Sequence, residues 1–318
     1  MKDKLLIIGG SGLLGSNLAR IAAKDFETYA TYNSRPTRIS ECRIVSLDIR
    51  DQNKTLAVFN EVKPNLVIHT AALVDVDFCE GHPEGAWSTN VGGTENVALA
   101  SKEVEAKLLY ISTDSVFDGE KGMYVEEDLP RPLTIYAKTK LEGERMVRHW
   151  LPDSLIIRTA FCSRNSPGKP NLAEWIINGL ESRKILKMFT DVFFSPIPVC
   201  TLIEAMLTIY HKELSGIYHV GGKERCSKFD YAMEIAHQFG LNTSYIQPST
   251  LAEAKLKAPR PKDVSLNVGK ALNSANVKLP DLKEGVFQLT TQIGLTDDKE
   301  NNGGGFISKA ITGRTKEI

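Results

Sequence analysis

Three side chains in the middle of the chain have the types and spacing for acid–base chemistry on a carbonyl group. Tyr136 and Lys140 lie four residues apart at the start of a predicted helix, so both project from one face of it. A phenol is a weak acid at neutral pH, and a neighbouring ammonium lowers its pKa and makes it a usable general acid. Thr113 follows a predicted strand and would donate a hydrogen bond to the same oxygen. Alone, these patterns also suit a solvated helix start and a capped strand end.

A glycine-rich turn near the N-terminus has the pattern of a dinucleotide-binding site. Residues 5–8 are Leu-Leu-Ile-Ile, which predicts a buried parallel strand, and a helical apolar pattern begins at Leu13. Glycines between them let the backbone approach a pyrophosphate, and the N–H groups at a helix start favour its charge. Without a ligand, the same pattern would make a tight turn. The residues expected to bind the cofactor here are Gly9, Ser11, Gly12, Leu13 and Gly15.

The end of the second predicted strand indicates which nicotinamide cofactor is used. Residues 33–38 are Asn-Ser-Arg-Pro-Thr-Arg, with no Asp or Glu to bind the ribose 2′-hydroxyl of NADH. Ser34, Arg35 and Arg38 favour the 2′-phosphate of NADPH. NADH is the alternative cofactor, and a solvated basic loop is the alternative structure.

Composition narrows the class of protein. The chain has 318 residues, of which 42% are hydrophobic and 25% charged, the balance of a globular protein. Its 39 basic and 39 acidic side chains give no net charge to attract nucleic acid or an anionic membrane. No apolar run approaches the roughly 18 residues of a membrane span. The five scattered cysteines lack a C-x-x-C pair and the six histidines lack ligand spacing, so we expect a reduced, cytoplasmic protein without a metal site.

The elements that would position these residues alternate between strand and helix. Strands are predicted at 5–8, 28–32, 44–47, 66–70, 108–112 and 155–158, and helices at 54–62, 83–103 and 136–149. The pattern predicts a Rossmann-type doubly wound parallel α/β sheet over residues 1–160. Residues 161–296 are predicted to be mostly a smaller substrate-binding lobe, interleaved with the sheet edge, and 297–318 a flexible tail.

Together the motifs resemble the extended short-chain dehydrogenases/reductases, and within them the dTDP-4-dehydrorhamnose reductase family. The resemblance covers about residues 4–295. The glycine and Tyr/Lys motifs are shared across the superfamily, whereas the more specific blocks are Val-Phe-Asp-Gly at 116–119, Lys-Thr-Lys-Leu-x-Gly-Glu at 138–144 and Arg-Pro at 260–261. Further matches are Ala-Ala at 71–72, Asn-Val-Gly-Gly-Thr-Glu-Asn at 90–96, Arg-Thr at 158–159 and Gly-Ile-Tyr-His-Val at 216–220.

The resemblance implies roles for the matching residues. Tyr136 would donate the proton, Lys140 would bind the cofactor ribose and tune Tyr136, and Thr113 would polarise the carbonyl. The implied cofactor contacts are Asp48 and Ile49 beside the adenine, Ala71, Ala72 and Leu73 along the cofactor, and Asn90 as a support of its helix. The implied sugar pocket is formed by Val76, Asp77, Thr113, Asp114, Ser115, Phe161 and Arg260.

Two departures from the family pattern leave the sugar open. Ser115 stands where the family usually has a tyrosine, and Phe161 stands where an aromatic ring with an N–H is common. The resemblance implies reduction of the 4-keto group of a nucleotide-linked 6-deoxy sugar by NADPH, with a homodimer left open. The alternatives are a sugar-nucleotide epimerase or 4,6-dehydratase of the same fold, and a non-catalytic regulatory subunit resembling the methionine adenosyltransferase β subunit. The dehydratase is disfavoured because Ser115, not an acid, follows Asp114.

Overall fold

The computed structural model describes residues 2–40, 42–164, 169–254 and 256–291. The predicted tail, 297–318, lies outside the described residues. The strands are β1 (Lys4–Ile8), β2 (Glu27–Tyr32), β3 (Cys42–Ser46), β4 (Leu66–His69), β5 (Lys107–Ile111), β6 (Leu155–Arg158), β7 (Phe161–Cys162), β8 (Leu186–Phe189), β9 (Phe193–Phe194), β10 (Ile197–Pro198), β11 (Gly216–His219), β12 (Cys226–Ser227) and β13 (Ile246–Ser249). The helices are α1 (Leu13–Ala22), α2 (Gln52–Val62), α3 (Val76–Gly81), α4 (Pro83–Trp87), α5 (Gly93–Glu103), α6 (Ile135–Trp150), α7 (Leu172–Glu181), α8 (Val199–His211), α9 (Lys228–Gln238), α10 (Gly269–Ala275) and α11 (Leu282–Thr291).

Seven parallel strands form the central sheet, in the order β11–β6–β5–β4–β1–β2–β3. Leu5 and Ile7 of β1 pack into one apolar core with residues of α1 and α8. Leu6 and Ile8 pack into a second core, on the other face, with residues of α2 and α5. Because both faces are covered, the central strands β1, β4, β5 and β6 are mostly apolar, which is why the sequence pattern located them. The predicted doubly wound parallel sheet is confirmed.

The strand order reverses between β1 and β4, the neighbours at the centre of the sheet. Chains that leave these two strands run to opposite sides, so a crevice opens at their carboxyl ends. Ile8 of β1 pairs with His69 of β4 at this edge. The residues that follow these strands are therefore placed to bind a ligand.

One expectation about the helices was wrong in detail. The predicted helix 83–103 is divided into α4 and α5 by a π-helical turn at Ser88–Gly92. Periodicity did not reveal this turn because apolar spacing does not report which hydrogen-bond register a helix adopts. The connection between β2 and β3, for which no helix was predicted, contains none in its described residues, 33–40.

The region after β6 contributes to two layers. Its strand β11 pairs in parallel with β6 at the edge of the main sheet, and its helix α8 packs on α1. A separate apolar core is formed by side chains of α7, α9, α11, β8 and β13. We call this third core, with its surrounding loops, the small lobe. Across the described ranges, no helix is long and apolar enough to cross a membrane.

Candidate active site

The glycine turn after β1 has the close backbone approach that a dinucleotide site requires. Gly9 has φ +95°, and a Cβ on it would lie 2.8 Å from the backbone nitrogen of Ala71. A Cβ on Gly15 would overlap the Gly9 carbonyl oxygen. Ser11 lies in the turn between them, and α1 begins at Leu13 with Gly12 as its extended N-cap. The cradle fits the pyrophosphate of a dinucleotide, because its glycines allow a close backbone approach and helix N–H groups lie at its end.

A cavity of about 680 Å³ runs from this turn across the carboxyl ends of the central strands into the small lobe. It brings together many of the predicted site residues, namely Gly12, Leu13, Arg35, Ala72, Val76, Asp77, Thr113, Asp114, Tyr136, Lys140, Phe161 and Arg260. It is also lined by residues that sequence reasoning did not single out, among them Thr70, Val74, Asp75, Thr159, Lys169 and Asn171. Of these, Thr70 ends the predicted strand 66–70 and Asp75 lies five residues beyond it, and that position was the available signal.

The three proposed acid–base residues lie at one side of this cavity. Thr134 caps α6 by accepting a hydrogen bond from the Ala137 N–H, so Tyr136 and Lys140 occupy its first turns. The Lys140 ammonium donates to the Ile111 carbonyl at 2.7 Å and lies 4.0 Å from the centroid of the Tyr110 ring. Lys140 is therefore anchored to Ile111, the last residue of β5, and Ser112 and Thr113 follow directly after it.

The pKa values of this pair differ from the sequence expectation. Burial raises the pKa of the Tyr136 phenol, and the Thr113 hydroxyl opposes that rise only in part. Burial lowers the pKa of Lys140 to about 7, with the Glu144 carboxylate acting against it. The expected lowering of the Tyr136 pKa is therefore absent from this geometry, because desolvation of the phenol dominates.

Asp114 is a buried carboxyl beside Thr113. Its Oδ1 accepts hydrogen bonds from the Thr113 hydroxyl at 3.0 Å and from the Ser115 hydroxyl at 3.1 Å. The side chain of Ser115 is thus directed to Asp114, and Ser115 lies outside the lining of the cavity. Its predicted contact with the sugar stays a prediction that this geometry does not support. Phe161, by contrast, lines the cavity.

Asn90 lies in the π-helical turn and ties the cavity wall to the catalytic helix. Its side-chain oxygen accepts from the Leu73 N–H at 2.8 Å, and its amide donates to the Leu73 carbonyl and to the Thr139 hydroxyl, each at 3.0 Å. The turn after β4, residues 71–73, is therefore fixed against α6. Asn90 and Leu73 lie outside the cavity lining, so their predicted roles at the cofactor stay predictions.

The other predicted cofactor residues follow strands β2 and β3. Asp48 follows β3, and the Arg50 guanidinium binds its carboxylate, with a closest distance of 2.5 Å. Arg50 also holds the pKa of that carboxyl below its usual range. The Ile49 side chain packs against Gly93 of α5. Ser34 and Arg38 lie on the exposed β2–β3 connection, outside the cavity lining, whereas Arg35 reaches the cavity.

A buried ion pair lies behind the catalytic residues. The Arg158 guanidinium donates to both carboxylate oxygens of Glu144, at 3.0 and 2.7 Å, and each side chain is at most 3% exposed. The Ser112 hydroxyl donates to the same carboxylate at 2.5 Å. Glu144 lies one turn beyond Lys140 on α6, so this pair fastens the catalytic helix to β5 and β6. Removing one partner alone would leave a buried charge and destabilise the fold by about 3–5 kcal/mol.

Two ion pairs join the cavity rim to the small lobe. The Arg260 guanidinium binds the Asp77 carboxylate at 3.1 Å, and the Lys169 ammonium binds the Asp75 carboxylate at 2.8 Å. Arg260 was expected to face the substrate from the small lobe. It lines the cavity as expected, but its guanidinium also meets Asp77, which holds it at the cavity wall.

The seven-stranded sheet, the glycine cradle and the Thr113–Tyr136–Lys140 group define a fold of the extended short-chain dehydrogenase/reductase type. The chain belongs to the RmlD substrate binding domain family, whose model matches residues 2–294. A relative from Aggregatibacter actinomycetemcomitans, a dTDP-4-dehydrorhamnose reductase, is 29% identical over 87% of this chain and 95% of its own. The solved dTDP-4-dehydrorhamnose reductase of Bacillus anthracis, in complex with NADP, is 28% identical and superimposes with a TM-score of 0.82 over 92% of this chain and all of its own.

A third relative has a different kind of name. The methionine adenosyltransferase 2 subunit beta of Xenopus tropicalis is 30% identical over 84% of this chain and 81% of its own. The relatives thus include chains named as reductases and chains named as subunits of another enzyme. The family model and the reductase relatives support an oxidoreductase of the reductase type for this chain.

Proposed function

We propose that this chain reduces the 4-keto group of a nucleotide-linked 6-deoxy sugar with NADPH, as a dTDP-4-dehydrorhamnose reductase does. The observation that carries the proposal is the single cavity that joins the glycine cradle, the Thr113–Tyr136–Lys140 group and the cations of the rim. A nicotinamide cofactor, when bound, supplies the hydride that reduces the carbonyl carbon.

The side chains of the cavity divide the remaining work. Tyr136 gives the proton of its phenol to the carbonyl oxygen as negative charge develops there. Thr113, whose hydroxyl is held beside it, hydrogen-bonds the same oxygen. Lys140, anchored on the Ile111 carbonyl, donates a hydrogen bond from its ammonium to the cofactor ribose. When Lys140 is protonated, its positive charge also favours the phenolate of Tyr136.

The rim of the cavity supports a substrate that carries phosphate groups. Arg260 and Lys169 bring two cations to the side of the cavity that the small lobe forms. Arginine binds phosphate through charge-assisted and often bidentate hydrogen bonds, and lysine binds it as a point charge. Asp77 and Asp75 hold these cations at the wall of the cavity. The diphosphate of a sugar nucleotide would replace the two carboxylates as the partner of these cations.

The cofactor proposal rests on the connection between β2 and β3. Arg35 lines the cavity, and residues 33–40 contain no Asp or Glu that would select the free 2′-hydroxyl of NADH. NADPH is therefore the proposed cofactor, with NADH as the alternative.

A screen of substrates tests the proposal. The purified chain is incubated with NADPH and a panel of 4-keto and 4-hydroxy sugar nucleotides that differ in nucleotide and in C6 substitution, and loss of absorbance by NADPH is followed. We expect oxidation with at least one 4-keto-6-deoxy sugar nucleotide and none without sugar. If no 4-keto sugar nucleotide is reduced, the proposal is wrong.

The alternative of a regulatory subunit is separated by a second measurement. The kinship with methionine adenosyltransferase 2 subunit beta favours this alternative. Copurification of a synthetase with the tagged chain, together with no turnover in the screen, would favour the subunit. Turnover without a stable partner supports the reductase.

A further inference from the structure

The Lys140 ammonium lies over an aromatic ring that belongs to Tyr110 of β5. The ammonium donates to the Ile111 carbonyl at 2.7 Å and lies 4.0 Å from the centroid of the Tyr110 ring. Tyr110 is fully buried, and burial raises the pKa of its phenol, so the ring is uncharged at physiological pH. A ring face attracts a cation through its quadrupole, and the attraction is stronger where both groups are desolvated. The ring therefore replaces part of the hydration that Lys140 loses on burial.

Contacts on two sides fix the position of the Tyr110 ring. On the side of α6, a Cβ on Gly143 would overlap the Tyr110 hydroxyl and would lie 3.0 Å from its Cζ. On the side of β4, the Tyr110 and His69 rings pack with their centroids 5.4 Å apart. Gly143 lies three residues beyond Lys140 on the same helix. The ring beneath the ammonium therefore also fills the space between α6 and β5.

The other titratable groups around Lys140 do not replace the ring. Burial lowers the pKa of Lys140 to about 7, and the Glu144 carboxylate acts against this. The same carboxylate binds the Arg158 guanidinium at 2.7 Å, so much of its charge is compensated. Burial lowers the pKa of His69 to about 3 and raises that of the Tyr136 phenol, so both are neutral near pH 7. Lys140 is thus half protonated near neutral pH, where a small change in its surroundings changes its charge.

We propose that Tyr110 is a positioning residue of the reduction: its ring, held between β5 and Gly143, keeps the Lys140 ammonium charged and in place at the cavity. The inference rests on the proposed function and adds to it a residue that lies outside the cavity lining. In the reduction, the protonated Lys140 binds the cofactor ribose and favours the phenolate that Tyr136 becomes when it gives up its proton. Without the ring, a smaller fraction of the molecules would carry this charge at neutral pH.

The contact is tested without turnover by NMR titration of lysines labelled with ¹³C at Cε, with the Lys140 signal assigned as the one missing in Lys140→Met. In Tyr110→Leu we expect the midpoint of Lys140 to fall by about one pH unit, because the attraction of the ring for the ammonium is lost. Tyr110→Phe keeps the ring and should stay near the wild-type midpoint. An unchanged midpoint in Tyr110→Leu overturns the inference.

The chain offers a matched control for this titration. The Lys270 ammonium lies 4.4 Å from the centroid of the Tyr218 ring and donates to the Ile217 carbonyl at 2.7 Å, the same arrangement on β11. Tyr218→Leu removes a buried ring of the same sheet and should leave the midpoint of Lys140 unchanged. A fall as large as that in Tyr110→Leu would mean that any loosening of the sheet shifts Lys140, and the inference would be wrong.

Gly143→Ala gives a second route that keeps Tyr110 in the chain, and it decides the matter if Tyr110→Leu is not folded. The added Cβ would displace the ring from beneath Lys140, so we expect a fall of the Lys140 midpoint in the same direction. Combining it with Tyr110→Phe removes the overlapping hydroxyl and should restore part of the midpoint. An unchanged midpoint in Gly143→Ala, or no recovery in the double variant, contradicts the proposal.

The role in turnover is tested by the pH profile of kcat/KM for the keto sugar at saturating NADPH. In Tyr110→Leu we expect the alkaline limb to move to lower pH by about one unit, so that kcat/KM falls about tenfold on that limb and stays close to wild type on the acidic side. Tyr110→Phe should restore the wild-type profile. A loss that is equal at all pH values and is not rescued by phenylalanine would indicate a structural role only and would overturn the inference. If the wild type reduces no keto sugar, the proposed function fails, while the NMR titration still decides whether Tyr110 supports the charge of Lys140.

Discussion

At the scale of single residues, Lys140 is a functional group whose buried charge destabilises the fold. It is 4% exposed, and one hydrogen bond and one aromatic face replace the water around its ammonium. Its pKa of about 7 lies below the value of about 10.4 for an unfolded chain, so folding disfavours its charge. The cost is complete below pH 7, where both states are protonated, and it fades as the pH rises towards 10.

Lys140→Met should therefore stabilise the ligand-free protein while it abolishes activity. We expect a higher free energy of unfolding at pH 6.5, by a few kcal/mol at most because the hydrogen bond to Ile111 is lost, and a smaller gain at pH 9.5. Urea unfolding at the two pH values measures this. Lys138→Met, an exposed lysine of the same helix, is the matched control and should stay within about 0.5 kcal/mol. Destabilisation of equal size at both pH values would contradict the account.

Tyr136 is the residue that we expect to donate the proton. Tyr136→Phe keeps the ring and removes the hydroxyl, so kcat should fall by about 10²–10⁴ while the Kd of NADPH stays unchanged. Tyr210→Phe, on α8 and outside the cavity lining, is the control for loss of a phenol. Steady-state kinetics with fluorescence titration of NADPH separates the two effects. Full turnover in Tyr136→Phe would remove this residue from the mechanism.

At the scale of elements, the β2–β3 connection offers a direct test of cofactor choice. Arg35 lines the cavity and Arg38 does not, although both are exposed arginines on one short segment. A charge-assisted hydrogen bond contributes about 1.5–3 kcal/mol, or roughly ten- to hundredfold in affinity. Arg35→Ala should weaken NADPH by about that factor and leave NADH nearly unchanged, and Arg38→Ala should have a smaller effect.

Titration of each variant with both cofactors, at low and high salt, measures this preference. The loss in Arg35→Ala should shrink as salt rises, because the segment is exposed. Equal losses for NADPH and NADH would mean that Arg35 does not bind the 2′-phosphate, and the cofactor proposal would be wrong.

Strands with both faces buried could be predicted from the sequence, whereas helices without a clear apolar period could not. Strands β1, β4 and β6 lie within two residues of their predicted bounds because a short apolar run between turn residues has few other solutions. Helix α8 escaped prediction because it is apolar around most of its surface, so no 3.6-residue period stands out. The short helix α3 carries little periodicity in six residues.

Within the site, sequence identified the groups but not their connections. The Gly, Tyr and Lys motifs located the acid–base group, because residues after parallel strands meet at one edge. The hydrogen bonds of Asn90 to Leu73 and Thr139 and that of Arg260 to Asp77 join residues 17 to 183 positions apart in the chain. No local pattern encodes such distances.

At the scale of the whole molecule, the cavity lies between the main sheet and the small lobe, and residues of both parts complete it. Asp75 and Asp77 follow β4, while Lys169 and Arg260 come from the small lobe. The two ion pairs hold the walls together at the rim, and a sugar nucleotide that binds both cations would take over that contact. The architecture therefore suits a substrate with a sugar at the catalytic group and phosphates at the rim.

The most direct test of the central claim is to follow the hydride itself. The chain is incubated with NADPH that carries deuterium at nicotinamide C4, on the transferable face, and with the 4-keto sugar nucleotide that scores best in the screen; the product is analysed by mass spectrometry and NMR. We predict one deuterium per product molecule, located at C4 of the sugar. Deuterium at another carbon, or none in any product formed, would contradict the assignment of a 4-ketoreductase.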